Sequence, residues 1–139
     1  MRQALAIAFI LATGCATTAA SPVNKSAAAT LAKYEPTGET TSCLSIPSIS
    51  QMTAVDERTL LVRVGVSSYY VNKLSGRCSG ATRVNNRLQY TTSLSQLCRN
   101  DILKVVDNST GIFSGSCGVG SFEKLTLKPV DEATEEATE

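Results

Sequence analysis

The chain has 139 residues, 42% of them hydrophobic, and 13 Lys and Arg against 12 Asp and Glu leave a formal net charge of +1. That length suits about one domain once a leader is set aside. No histidine occurs anywhere, so Ser-His-Asp and Cys-His catalysis are excluded and the usual imidazole general base is missing.

At the N-terminus, Arg2 and the free amine precede "ALAIAFILA" (Ala4 to Ala12), an uncharged apolar run. It suits a signal peptide and is too short to span a bilayer as a helix. The small residues Ala12, Thr13 and Gly14 then lead into Cys15. This resembles the lipobox of bacterial lipoprotein precursors, although Ala12 stands where such boxes most often carry leucine. The resemblance implies that residues 1–14 are a signal peptide, that Cys15 is lipidated, and that the protein is held at the membrane by its acyl chains. With Ala16 rather than Asp after the cysteine, it further implies an outer-membrane lipoprotein on the periplasmic side. The alternative is ordinary cleavage after Ala20, giving a soluble periplasmic or secreted protein.

From residue 15 to 41 the chain is rich in Ala, Thr and Ser without a sustained apolar period, and is expected to be a lipid-bearing tether. The last segment, "DEATEEATE" (Asp131 to Glu139), has acids, no base and no large apolar residue, and is expected to be a disordered tail. The folded domain is therefore expected over residues 42–130.

With Cys15 assigned to lipid, Cys43, Cys78, Cys98 and Cys117 remain, an even number that predicts two disulfides in an exported chain. Spacing favours Cys78 with Cys98, closing a local loop, and Cys43 with Cys117, joining the ends of the domain; sequence alone leaves all three connectivities open. In so small a domain each bridge is worth roughly 2 to 4 kcal/mol. Structural zinc is disfavoured by the absence of any C-x-x-C pair or histidine, so no metal or cofactor is expected.

Within the domain, "SISQMTAV" (Ser48 to Val55) reads as a strand ending at the polar turn "DER" (Asp56 to Arg58). "TLLVRVGV" (Thr59 to Val66) alternates with period two, and "YYVNKL" (Tyr69 to Leu74) resumes after Ser67 and Ser68, which predicts a hairpin. "RLQYTT" and "DILKVV" (Asp101 to Val106) follow as strands, the second ending at the turn "DNSTG". Three glycines in "GSCGVGS" (Gly115 to Ser121) suggest a tight turn beside a disulfide, and "FEKLTL" closes the domain. Only "SLSQLC" (Ser93 to Cys98) suggests a helical turn. The prediction is a mainly β fold, a small antiparallel barrel or sandwich of about six short strands stapled by two disulfides.

The ordered run "CLSI", "DERTLLVRVG", "YYVNKLSGRC", "SLSQLCRNDILKVVD" and "GSCGVGSFEKL" resembles a family of uncharacterised small exported proteins and lipoproteins of Gram-negative bacteria. The resemblance spans Cys43 to Leu125, includes the four core cysteines, and implies an envelope location and a disulfide-bearing domain; it carries over no catalytic residue.

Paired carboxylates are the remaining hydrolytic option, and the domain offers Asp56, Glu57, Asp101, Asp107 and Glu123. Asp56, Glu57 and Asp107 fall in predicted turns and read as solvated turn residues. Asp101 opens an apolar strand, where capping of the backbone or pairing with Arg99 competes with acid catalysis. "GVGSFEK" does not meet the phosphate-loop spacing, and no helix follows it. Charge is more informative. Cys43 to Val130 carries ten Lys and Arg against five acids, a net of +5, while the tail carries five acids. Arg77, Arg83, Arg87 and Arg99 cluster in sequence near Tyr69, Tyr70 and Tyr90, a pattern that suits an anion-binding face and competes with a reading as solvated arginines on loops. Nucleic acid is not expected to be the partner of an exported domain. The expected function is therefore a non-catalytic cell-envelope lipoprotein whose β-domain binds a partner protein or an anionic envelope component. The second reading is a periplasmic hydrolase using Asp101 and an arginine on a glycan or phosphoester.

Overall fold

The computed structural model describes residues 22–129. Its order is α1 (Lys25–Leu31), β1 (Tyr34–Thr41), β2 (Cys43–Ser45), β3 (Ile49–Asp56), β4 (Thr59–Val64), β5 (Ser68–Lys73), β6 (Asn86–Tyr90), β7 (Gln96–Cys98), β8 (Ile102–Asp107), β9 (Phe113–Gly118) and β10 (Phe122–Leu127). All strand pairs are antiparallel: a five-stranded sheet in the order β1-β10-β5-β4-β3, the pair β2-β7, and a three-stranded sheet β6-β8-β9.

Strand β4 shows how the sequence selects this arrangement. Its alternation turns Leu60 and Val62 to one face and Leu61 to the other, and all three are buried. A strand apolar on both faces belongs in the middle of a sheet covered twice. On one side Leu60, Val62 and Phe122 pack against Leu44 and Leu97 of the β2-β7 pair and Leu103, Val105 and Cys117 of the three-stranded sheet. On the other, Leu61, Val71, Val55 and Leu125 are covered by Ala27 of α1. The sheets stack in a sandwich-like way and do not close into a barrel. Ten strands replace the expected six or so, because several are only three to six residues long and carry too few residues to show a period.

The N-terminal segment and Ser93 to Cys98 differ from the sequence reading. Residues 22–41, expected within the tether, form α1 and β1 of the folded domain, so its boundary lies well before residue 42. Asn24 caps α1 by accepting the Ala27 N–H at 3.2 Å, and an alanine run follows, a strong helix start. β1 then pairs along β10. The segment Ser93 to Cys98, expected as a helical turn, ends in β7, where Leu97 is buried against the core; packing outweighs local preference there. The hairpin β4-β5, the turn at Glu57–Arg58 and the strands β3, β8 and β10 lie where the pattern put them. The signal peptide of residues 1–14, the lipidated Cys15 and the tail of residues 131–139 lie outside the described residues.

The four core cysteines form two disulfides, but as Cys43–Cys98 and Cys78–Cys117, correcting the expected Cys78–Cys98 and Cys43–Cys117 pairs. Cys43 and Cys98 are directly opposed across β2 and β7. Cys78 sits in the loop after β5, which folds over the three-stranded sheet and meets Cys117 on β9. Loop length in sequence could not reveal this, because the first pairing is set by sheet register and the second by how the loop after β5 folds onto β9.

Candidate functional site

A groove of about 760 Å³ lies between the two larger sheets. One wall is β3, from Ile49 to Ala54; the other is Ala81 to Val84 with Asn86 to Leu88 and Tyr90 of β6, and Val23 to Lys25 close one end. Its cations are Lys25, Arg83 and Arg87, all exposed, and among the described residues no Asp or Glu lines it. Ile49, Met52, Ala81, Leu88 and Tyr90 form an apolar floor continuous with the main core.

The wall that carries Arg83 is fixed from below. Glu57 is buried, accepts the Gly80 N–H at 2.9 Å, and pairs with Arg77. The Gly80 N–H is the first cause holding the Glu57 carboxyl below its ordinary range, with Arg77 and then Arg83 adding to it against the opposing effect of burial. Glu57 is thus an internal anchor rather than the solvated turn residue expected from "DER". Gly80 adopts φ +81, a left-handed turn that suits glycine. The Ala81 and Arg83 N–H groups donate to the Cys78 and Gly80 carbonyls, and Asn86 Nδ2 donates to Gly80 O at 2.8 Å. Arg87 stands on β6 and donates from Nη1 to Asn108 Oδ1 at 3.0 Å, a neutral partner that leaves its charge uncompensated.

Of the four arginines singled out by sequence, the fold brings Arg83 and Arg87 together. Arg77 faces Glu57 and is spent in that pair. Arg99 does not line the groove; its backbone N–H bonds Ser42 O beside the Cys43–Cys98 bridge. Tyr90 lines the groove, whereas Tyr69 stacks with Tyr34 at 4.8 Å between ring centres on the α1 face, and Tyr70 packs into the main core. Lys25 was missed because its segment read as a tether; the Asn24 cap signal ahead of the alanines was the clue to it. Asp101 accepts the Cys98 N–H at 2.7 Å, tying the β7-β8 turn. That is the capping role weighed against catalysis. Among the described residues no other carboxylate is a hydrogen-bond partner of Asp101.

The family model of a family of unknown function (DUF6491) matches residues 1–139. No curated protein matches the chain, and no solved structure does.

Proposed function

Since the chain belongs to the DUF6491 family over its whole length, a family that supplies no activity, we propose the function from its groove: a non-catalytic domain that binds an anionic partner between β3 and β6. The observation that supports this is the convergence of Lys25, Arg83 and Arg87 on one cleft with no lining carboxylate among the described residues. Low-dielectric walls beside such cations focus their field on an incoming anion. The apolar floor adds a surface that a purely structural set of arginines does not need. We further propose that the domain works in the cell envelope, anchored through lipid on Cys15. The leader-like apolar run, the small residues before Cys15 and the two disulfides support that location.

Titration calorimetry of the full chain with inorganic tripolyphosphate tests the groove. Binding is expected to weaken as salt rises. It is expected to fall at least about tenfold in Arg83→Glu/Arg87→Glu, since each charged contact is worth more than about 1 kcal/mol in a cleft. Arg99→Glu should bind like the parent chain. Equal losses in both variants, or no binding at all, would sink the reading.

A further inference from the structure

The groove is also the meeting place of two open sheet edges. Among the described residues, β3 is terminal in the five-stranded sheet and pairs only with β4, and β6 is terminal in the three-stranded sheet and pairs only with β8. Backbone direction follows from bonds at the strand ends. The Leu74 N–H donates to Arg58 O, so in the shared register the even residues of β4 bond β5 and the odd ones bond β3. Gln51 and Thr53, opposite Arg63 and Leu61, therefore turn their peptide groups inward to β4. Met52 and Ala54 turn theirs outward to the groove. On the other sheet the Val119 N–H donates to Asp101 O and the Asn108 N–H to Asn85 O. By the same alternation Arg87 and Gln89 bond β8, while Leu88 and Tyr90 face the groove.

No backbone or side-chain partner among the described residues takes up the outward groups of Met52, Ala54, Leu88 or Tyr90. The neighbouring positions are already closed. The Val55 carbonyl accepts the Asn24 N–H at 2.8 Å, and the Asn86 N–H donates to Arg83 O at 3.0 Å. An open length remains in which two residues on each edge present donors and acceptors within one cleft, and an exposed sheet edge of this kind is a template for another strand.

Side chains say what that strand must carry. Met52, Ala54, Leu88 and Tyr90 point to the core side of the groove, where they join the main apolar cluster. Arg87 and Arg83 are exposed at the rim, with Lys25 at the end. A guest strand alternates its side chains between those two environments. Resting on the anion-binding reading of this same groove, we propose that its ligand is an extended acidic segment of a partner protein, alternating acidic and apolar residues, which adds as a strand at the β3 edge and faces β6. The charge of the rim selects the acids and the floor selects the apolar residues. The chain's own "DEATEEATE" lacks large apolar residues and fits the floor poorly.

The test uses the full chain and fluorescence anisotropy with labelled N-acetyl (Glu-Val)4. Its comparators are the same peptide N-methylated at the valine amides, (Lys-Val)4, and inorganic tripolyphosphate as competitor. The acidic peptide is expected to bind, the N-methylated peptide at least about tenfold more weakly because its edge donors are gone, and the lysine peptide not at all. Arg83→Glu/Arg87→Glu is expected to weaken the acidic peptide by a similar factor. If the N-methylated peptide binds as well as its parent while tripolyphosphate competes, strand addition is overturned and anion binding stands. If neither the peptide nor tripolyphosphate binds, both fall. Peptide binding that survives the charge reversal also overturns the proposal, because the site is then elsewhere.

Discussion

Glu57 is the residue whose chemistry reaches furthest. It is 5% exposed, yet ionised, because the Gly80 N–H and the Arg77 guanidinium bond its two oxygens. A carboxyl held below its ordinary value is stabilised in the folded state relative to the unfolded one. Its contribution is complete above the unfolded-state value of about 4.3 and is lost as pH falls through the lower folded-state value. Urea unfolding at pH 7 and pH 3 should therefore show the parent chain losing stability on acidification. Glu57→Gln keeps an acceptor for Gly80 but not the charge, and should lose less between the two pH values while starting lower. Glu57→Ala, which orphans the buried Gly80 N–H, is expected to cost about 2 kcal/mol at pH 7. A pH dependence in Glu57→Gln as steep as the parent's would show that another carboxyl governs acid unfolding.

At the scale of elements, the entry into β10 depends on one asparagine and one glycine. Asn72, on β5 and fully buried, donates from Nδ2 to Gly120 O at 2.8 Å and accepts the Gly120 N–H at 2.9 Å. The amide thus stands in for a neighbouring strand where none runs. A Cβ on Gly120 would collide with the Lys73 carbonyl, a backbone atom that cannot move aside without disturbing β5. Gly120→Ala is expected to lower stability by about 3 kcal/mol or more through the clash, and Asn72→Leu by about 2 kcal/mol through two part-buried peptide groups left unbonded. Thermal unfolding checks both, and a Gly120→Ala variant as stable as the parent would refute the clash. The same pair marks what a one-dimensional reading can see. The alternation in "TLLVRVGV" and the turn signals around it carry the hairpin β4-β5, and the arginine-rich stretch after Cys78 carries half of the groove. "GSCGVGS" looked like a turn beside a disulfide, whereas Gly115, Cys117 and Gly118 lie in β9. Their glycines answer close approaches by Ser79 and Ser75 that only the tertiary fold creates. The part of β3 as a groove wall was hidden for the same reason, since a cleft between two sheets has no signature in either strand.

For the whole molecule, the two disulfides divide stability from function. They interleave in sequence, Cys43 with Cys98 and Cys78 with Cys117, at separations of 55 and 39 residues. By loop-closure entropy each contributes about 4 kcal/mol, so their loss should depress the urea midpoint by similar amounts. Their positions differ. Cys43–Cys98 joins β2 to β7, neither of which lines the groove. Cys78–Cys117 fastens the base of the loop that carries Arg83 to the sheet that carries Arg87. Replacing Cys43 and Cys98 by serine should leave tripolyphosphate affinity within about twofold of the parent under conditions where the domain stays folded. Replacing Cys78 and Cys117 should weaken it several-fold, because the two cations then lose their fixed separation and ordering them again opposes binding. Circular dichroism and calorimetry on the two variants under the same reducing-agent-free conditions decide this, and equal affinities in both would mean that the Glu57 anchor and the hydrogen bonds around Gly80 hold the Arg83 wall without the bridge.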